Sequence, residues 1–218
     1  MLDNNKINNL FHRYSEREKM VENQLINNGI KNKDILNAFL KIPRHIFIPK
    51  EKQQDAYLDG PQFIGYGQTI SQPYIIALML EEVKLQSDFN VLEIGSGSGY
   101  VSALLSLLVK NVTGIDIEKE LVKRSKIILE KLDIKNVSIN KSNGYNGFPK
   151  NAPYDVIILS ASPNKVPKKL FTQLKPNGKL ILPVGKFFQE LIIYEPKKNE
   201  MASRKIADVS FVPLRKNK

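Results

Sequence analysis

Between Val91 and Leu159 the chain alternates short apolar runs with longer amphipathic ones. The first run ends in glycines separated by serines: Val91-Leu92-Glu93-Ile94-Gly95-Ser96-Gly97-Ser98-Gly99-Tyr100. Short apolar runs with little polar alternation read as strands buried on both faces, and helices between them make those strands parallel. The pattern predicts strands at Val91–Ile94, Val112–Ile117, Val137–Ile139 and Tyr154–Leu159, with helices at Tyr100–Val109 and Glu120–Leu132. A further helix is expected around Pro167–Leu174. Strands at Lys179–Val184, Glu190–Tyr194 and Val209–Leu214 should finish the sheet, partly antiparallel. The expected class is α/β, a doubly wound and mostly parallel sheet.

The first 90 residues read as an extension packed on that sheet. Phe11, Met20, Val21, Leu25 and Ile26 recur at helical intervals in a largely helical stretch over 1–50, and Asn28-Gly29 marks a stop. A second helix spans Asn32–Leu40 and ends before Ile42-Pro43, since proline disfavours helix in the residue before it. Glycines and prolines crowd 51–73, which predicts loop with short extended pieces, and helical periodicity resumes over Tyr74–Val83. The chain of 218 residues is therefore read as one domain, with 1–90 as extension and 91–218 as the ligand-binding sheet.

Composition narrows the chemistry. With no cysteine, thiolate nucleophiles, disulfides and zinc–thiolate sites are excluded. No secretory leader is evident at Met1-Leu2-Asp3-Asn4-Asn5, and the longest apolar run, Tyr100–Val109, is far short of the roughly 20 residues that cross a bilayer. A cytoplasmic protein with no membrane partner is expected. The net charge of +11 is spread among acids along the chain, so it reads as a solvated Lys-rich surface and not as a nucleic-acid footprint.

A strand-to-helix turn at the carboxyl end of an open sheet is where such folds bind ligands. A tight turn alone would account for the glycines, so the neighbours decide. The dinucleotide fingerprint needs glycine where Tyr100 stands, and the phosphate loop needs a Gly-Lys-Ser/Thr that is absent. Glu93 would repel a pyrophosphate but suits an ammonium or sulfonium. Asp116 ends the second strand 21 positions after Gly95, where an acidic side chain takes ribose hydroxyls. A cationic adenosine ligand without phosphates is S-adenosyl-L-methionine.

Other blocks carry a resemblance. Gly65-Tyr66-Gly67-Gln68-Thr69-Ile70-Ser71-Gln72-Pro73 resembles the signature of the protein-L-isoaspartate O-methyltransferases. Pro43-Arg44-His45-Ile46-Phe47-Ile48-Pro49, Tyr57-Leu58-Asp59, Pro153-Tyr154-Asp155, Leu182-Pro183-Val184-Gly185 and Phe211-Val212-Pro213-Leu214 are similar to that family's other blocks and stand in order. The resemblance implies a Rossmann-like methyltransferase fold. It also implies transfer of a methyl group from S-adenosyl-L-methionine, with S-adenosyl-L-homocysteine as product. The acceptor would be the α-carboxylate of isoaspartyl residues in damaged proteins and peptides, and the enzyme a monomer. By position it makes Ser71 the active-site serine and places Tyr66, Gly67, Gln68, Thr69 and Tyr74 beside cofactor and substrate. Glu93 and the loop Gly95, Ser96, Gly97 and Gly99 would hold the methionine part, Asp116 and Ile117 the ribose, and Asn143 and Gly144 the adenine. Asn143 stands where the family has an acid, so donor binding is expected to be weakened but retained.

A carboxylic acid of the aspartyl type has a pKa of about 3.9 and is already a nucleophile at neutral pH. No general base is needed, and His12 and His45 are expected to be structural. Catalysis would then be placement, which supplies on the order of 7–11 kcal/mol. Ser71 would orient the carboxylate by a charge-assisted hydrogen bond worth roughly 1.5–3 kcal/mol, and could also cap the helix from Tyr74. The pairs Asn143-Gly144 and Asn146-Gly147 raise a separate expectation, that this loop itself ages through succinimide. Methylation of a different carboxylate, a small molecule or RNA, and a non-catalytic cofactor-binding module, are the alternatives. Leu159-Ser160-Ala161-Ser162-Pro163 lacks the Asn/Asp-Pro-Pro-aromatic sequence that methylation of nucleic-acid amino groups requires.

Overall fold

A computed structural model describes residues 12–197 and 200–216; Phe11 and the residues before it lie outside this range. The amino-terminal layer holds helix α1 (Tyr14–Met20), which runs on as a π-helical turn over Val21–Ile26, and helix α2 (Lys33–Lys41). Asn32 starts α2 by accepting hydrogen bonds from the Asp34 and Ile35 amides. Next come a hairpin of β1 (Gln62–Gly65) and β2 (Gln68–Ile70), and helix α3 (Pro73–Val83). The main sheet follows as β3 (Asn90–Ile94), α4 (Tyr100–Ser106), β4 (Asn111–Asp116), α5 (Lys119–Lys131), β5 (Val137–Lys141) and β6 (Tyr154–Leu159). It ends with β7 (Leu174–Val184), β8 (Gln189–Lys197) and β9 (Glu200–Val209).

The sheet order is β5-β4-β3-β6-β7-β8-β9. The strands from β5 to β7 are parallel, and β8 and β9 add antiparallel. The chain winds outward from β3 in both directions, which opens a crevice at the carboxyl ends of β3, β4 and β6. Alternate residues of β3 feed opposite faces. Val91 packs into the core shared with the amino-terminal helices, while Leu92 and Ile94 join Tyr154, Ile157, Leu159 and Leu180 on the other side. Glu93 has the parity of Val91 and therefore points toward α4.

Two expectations need correction. The segment around Pro167–Leu174 is not an α-helix but a 3₁₀ segment, Lys168–Gln173. After Pro167 only Lys168–Gln173 remains before β7 begins at Leu174. Val209–Leu214 is not the last strand. That strand is β9, whose Glu200, Arg204 and Lys205 are exposed at the sheet edge and give no apolar signal. The apolar stretch Phe211–Leu214 instead crosses the sheet's carboxyl rim, held by the backbone pairs Ser162 N–H to Val212 C=O at 2.9 Å and Leu214 N–H to Ser162 C=O at 2.8 Å.

The amino-terminal layer is keyed to the sheet by a buried arginine. Arg44 is 0% exposed, donates from Nε to the Ala56 carbonyl at 2.9 Å and lies 5.3 Å from the Tyr100 ring centroid. Burial pulls its guanidinium down to about 10, still charged at neutral pH. Arg44→Ala leaves a cavity and an unmet carbonyl, and is expected to cost about 2–5 kcal/mol of stability in urea denaturation.

Candidate active site

The chain passes from β3 into α4 through Gly95, Ser96, Gly97, Ser98 and Gly99. The turn needs glycine most at Gly99, which has φ +86° and where an added Cβ would stand 2.9 Å from the Ser125 Cβ of α5. The Gly95 and Ser96 amides both donate to the Ile115 carbonyl of β4, at 2.8 and 3.0 Å. Asp116, the last residue of β4, then pins the loop. Its Oδ2 accepts from the Gly97 amide and its Oδ1 from the Glu118 amide, each at 2.8 Å. Burial pushes the Asp116 carboxyl up, while the Glu118 and Gly97 amides and the Arg215 charge pull it back. A carboxylate has about four acceptor positions, so two are left after these bonds. The Ser96 hydroxyl is buried in the same loop with no partner.

Gly95, Asp116 and Ile117 form one side of a slot whose other walls are Gln68, Ser142, Gly144, Ala161 and the residues Pro213, Leu214 and Arg215. Its free volume is about 20 Å³. Ligand pockets hold roughly 300–1,000 Å³, so the slot as it stands is too small for an adenosine, and the 213–215 segment forms its outer wall. That segment is tied by Tyr145 Oη to the Leu214 carbonyl at 3.2 Å and by Arg215 to Glu118 at 3.4 Å, bonds between exposed or half-buried groups.

A second hollow of about 520 Å³ lies beside the slot, lined by Pro61, Thr69, Ser71, Gln72, Ile75 and the run 208–211. Neighbouring residues of the same two segments line the two cavities. Gln68 faces the slot and Thr69 and Ser71 the hollow; Val209 and Phe211 face the hollow and Pro213 to Arg215 the slot. The hairpin that leads to Ser71 is docked on the glycine loop. An added Cβ at Gly97 would stand 3.1 Å from Ile64 Cδ1, and the Arg124 guanidinium of α5 donates to the Ile64 carbonyl at 2.8 Å. Helix α3 takes Gln72 as its N-cap residue with no side-chain cap bond, which leaves the Ser71 hydroxyl uncommitted to the helix.

Of the residues expected at the site, the slot gathers Gln68, Gly95, Asp116, Ile117 and Gly144, and the hollow takes Thr69 and Ser71. Others stand elsewhere. Tyr66 and Gly67 form the two-residue tip of the β1–β2 hairpin with φ of 56° and 67°, and Tyr66 is 53% exposed. Tyr74 lines neither cavity. Glu93 does not reach the slot. It lies beneath the loop at 1% exposure, accepting from the Ser102 hydroxyl and, at 3.1 Å, from the Ser160 hydroxyl. Burial raises its carboxyl to about 7, against the pull of both serines. Asn143 does not line the slot, and its Oδ1 accepts from the Tyr145 amide at 3.0 Å.

Both Asn-Gly pairs are held in place. The Gly147 amide donates to the Gly144 carbonyl at 3.1 Å, and the Asn146 carbonyl accepts from Gln173 Nε2 at 2.8 Å, which restrains the geometry that succinimide closure needs. His45 is buried against Tyr57 in the amino-terminal layer, where burial lowers it to about 4 and keeps it neutral.

The slot residues that sequence reasoning missed are Ile115, Ser142, Ala161 and the 213–215 segment. Ala161 carried a signal of position, since it is the second residue past β6 at the same sheet end, and an added Gly95 Cβ would stand 3.3 Å from its Cβ.

Known proteins share this arrangement. The family model for protein-L-isoaspartate(D-aspartate) O-methyltransferase matches residues 15–218. A protein-L-isoaspartate O-methyltransferase of Pelotomaculum thermopropionicum is 44% identical over 204 residues, 93% of this chain and 89% of that one. One from Pyrococcus abyssi is 43% identical over 209 residues, 94% and 95% of the two chains. Among solved structures, a protein-L-isoaspartate O-methyltransferase superposes with a TM-score of 0.83 at 30% identity, covering 92% of this chain and 66% of that chain. A Plasmodium falciparum structure assigned to the same methyltransferase, in complex with S-adenosyl-L-homocysteine, gives 0.80 at 29% identity over 92% and 99%. With the family model covering nearly the whole length and the relatives alike from end to end, this chain belongs to the protein-L-isoaspartate(D-aspartate) O-methyltransferase family.

Proposed function

We propose that this chain uses S-adenosyl-L-methionine to methylate the α-carboxylate of L-isoaspartyl residues in damaged proteins and peptides. The observation that carries this reading is that the segments 68–71 and 208–215 line both a glycine-walled slot and the Ser71 hollow. The slot residues fit the donor. Asp116 keeps two acceptor positions for a hydroxyl pair, and Gly95 and Gly144 hold the walls open to close approach. When bound, S-adenosyl-L-methionine supplies the activated methyl group and leaves as S-adenosyl-L-homocysteine.

The chain's own part is placement. The hydroxyl of Ser71 donates to one oxygen of the acceptor carboxylate and turns the other toward the slot. The 213–215 segment narrows the slot and moves outward to admit the donor. Glu93, beneath the loop, biases the slot toward a cation without touching it. On the same reading the chain is a cytoplasmic monomer, and its charge is surface solvation. Among the described residues no helix is long and apolar enough to cross a membrane. An RNA affinity that barely changes with salt would remove nucleic acid as the acceptor.

Matched peptides that differ only in isoaspartate against aspartate, with a labelled methyl donor, test the activity. Base-labile label is expected in the isoaspartyl peptide alone; donor binding without transfer would favour a non-catalytic module. Ser71→Ala is expected to lower kcat by about 10- to 100-fold, the worth of one charge-assisted bond, and to leave the donor dissociation constant unchanged.

A further inference from the structure

The turn between β7 and β8 stands at the same rim as the slot and carries Phe187 and Phe188, 84% and 94% exposed. No other large apolar side chains among the described residues are so open to water. Adjacent phenyl rings kept in water forgo their burial free energy, and contiguous exposed apolar surface marks a place of interaction.

The turn is built to hold this shape. At Gly185, φ is +136° and an added Cβ would meet the Phe188 carbonyl oxygen at 2.0 Å, so the chain folds back where only glycine fits. The Gly185 amide donates to the Pro163 carbonyl and its own carbonyl accepts from the Ser162 hydroxyl, both at 3.1 Å. Its far side leads directly to the acceptor hollow. Gln189, next to Phe188, is in register with Val209; its Nε2 donates to the Phe211 carbonyl at 3.1 Å and its Oε1 accepts from the Phe211 amide at 2.7 Å. Val209 and Phe211 line the hollow that contains Ser71. With strands about 5 Å apart and neighbouring Cα atoms 3.8 Å apart, Phe188 stands about 10 Å from that hollow. An extended polypeptide covers this distance in about three residues.

We propose that Phe187 and Phe188 form a docking subsite for apolar side chains of the acceptor polypeptide, about three residues from its isoaspartyl residue. The proposal rests on the isoaspartyl reading above and adds a preference. The chain favours damage in segments unfolded enough to present a core side chain beside the altered residue.

The test uses the full chain, the double variant F187S/F188S and isoaspartyl peptides identical except for Leu or Ser three residues to either side. Both rings lie in water, so the variant keeps its fold. The unchanged chain should show a KM about tenfold lower for a Leu peptide than for the Ser peptide. In the variant the two KM values should converge on the Ser value, with kcat and donor affinity unmoved. Equal KM values for all peptides in the unchanged chain, or values that the variant leaves alone, overturn the subsite. So does a variant that loses only self-association in sedimentation or only binding to phosphatidylglycerol vesicles, since that gives the rings to a second copy or to a membrane. If the unchanged chain methylates none of the peptides, the isoaspartyl reading itself fails.

Discussion

Asp116→Ala should raise the donor dissociation constant by about 100-fold or more and lower stability by about 2–4 kcal/mol. The side chain does two jobs with one carboxylate. It accepts from the Gly97 and Glu118 amides, which holds the glycine loop against the end of β4, and it lines the slot with its remaining acceptor positions. Removing it strands two backbone donors in a buried setting, at about 1–3 kcal/mol each, and takes away the partner for a ribose hydroxyl pair. Asp116→Asn separates the two jobs. One oxygen still accepts from an amide, so about half the stability loss should be recovered, while donor binding stays at least tenfold weaker because the amide group cannot accept. Calorimetric titration of S-adenosyl-L-homocysteine alongside thermal unfolding measures both. If both variants bind it as tightly as the unchanged chain, Asp116 is only a loop anchor.

Glu93→Gln should make the protein more stable above neutral pH and a weaker binder of its donor. The carboxyl titrates near 7 in the folded chain against 4.5 for the free group, so folding favours its protonated form. That contribution is complete below about pH 4.5 and disappears as pH rises through 7, a swing of about 3 kcal/mol. Glutamine fills the same space, can bond to both Ser102 and Ser160, and never pays the cost of a buried charge. The variant's advantage in unfolding free energy should approach 3 kcal/mol by pH 8–9 and vanish toward pH 5. A cationic donor above the loop gains from a negative charge below it, so its affinity should fall by about tenfold in the variant. Stability given up at a binding site is the familiar trade between folding and function. A pH series in which the two proteins unfold in parallel would contradict the assignment.

The sequence made the sheet legible because burial on both faces writes itself as apolar runs. Val91–Ile94 and Tyr154–Leu159 were found nearly to the residue. An edge strand obeys a different rule: β9 must resist pairing with other chains, so it is charged, and the apolar Phe211–Leu214 beyond it drew the assignment away. At the site, glycines and Asp116 were readable because a turn at a strand end demands them. The direction of Glu93 was a matter of parity along β3, and its serine partners Ser102 and Ser160 lie 9 and 67 residues away. The bond from the Tyr145 amide to Asn143 Oδ1 was likewise not legible as a site feature, since a short polar side chain before a turn serves its own backbone first. The narrowing of the slot by residues 213–215 depends on contacts with Glu118, Tyr145 and Ser162, distant in sequence, which no local pattern records.

The most direct test is a crystal structure with S-adenosyl-L-homocysteine and an isoaspartyl peptide bound together. The adenosine should lie between Gly95, Asp116 and Gly144 with residues 213–215 displaced. One oxygen of the acceptor carboxylate should lie about 3 Å from Ser71 Oγ, and the other should face the sulfur in the slot. A peptide carboxylate seated away from Ser71, or a nucleoside bound anywhere but the slot, would contradict the account.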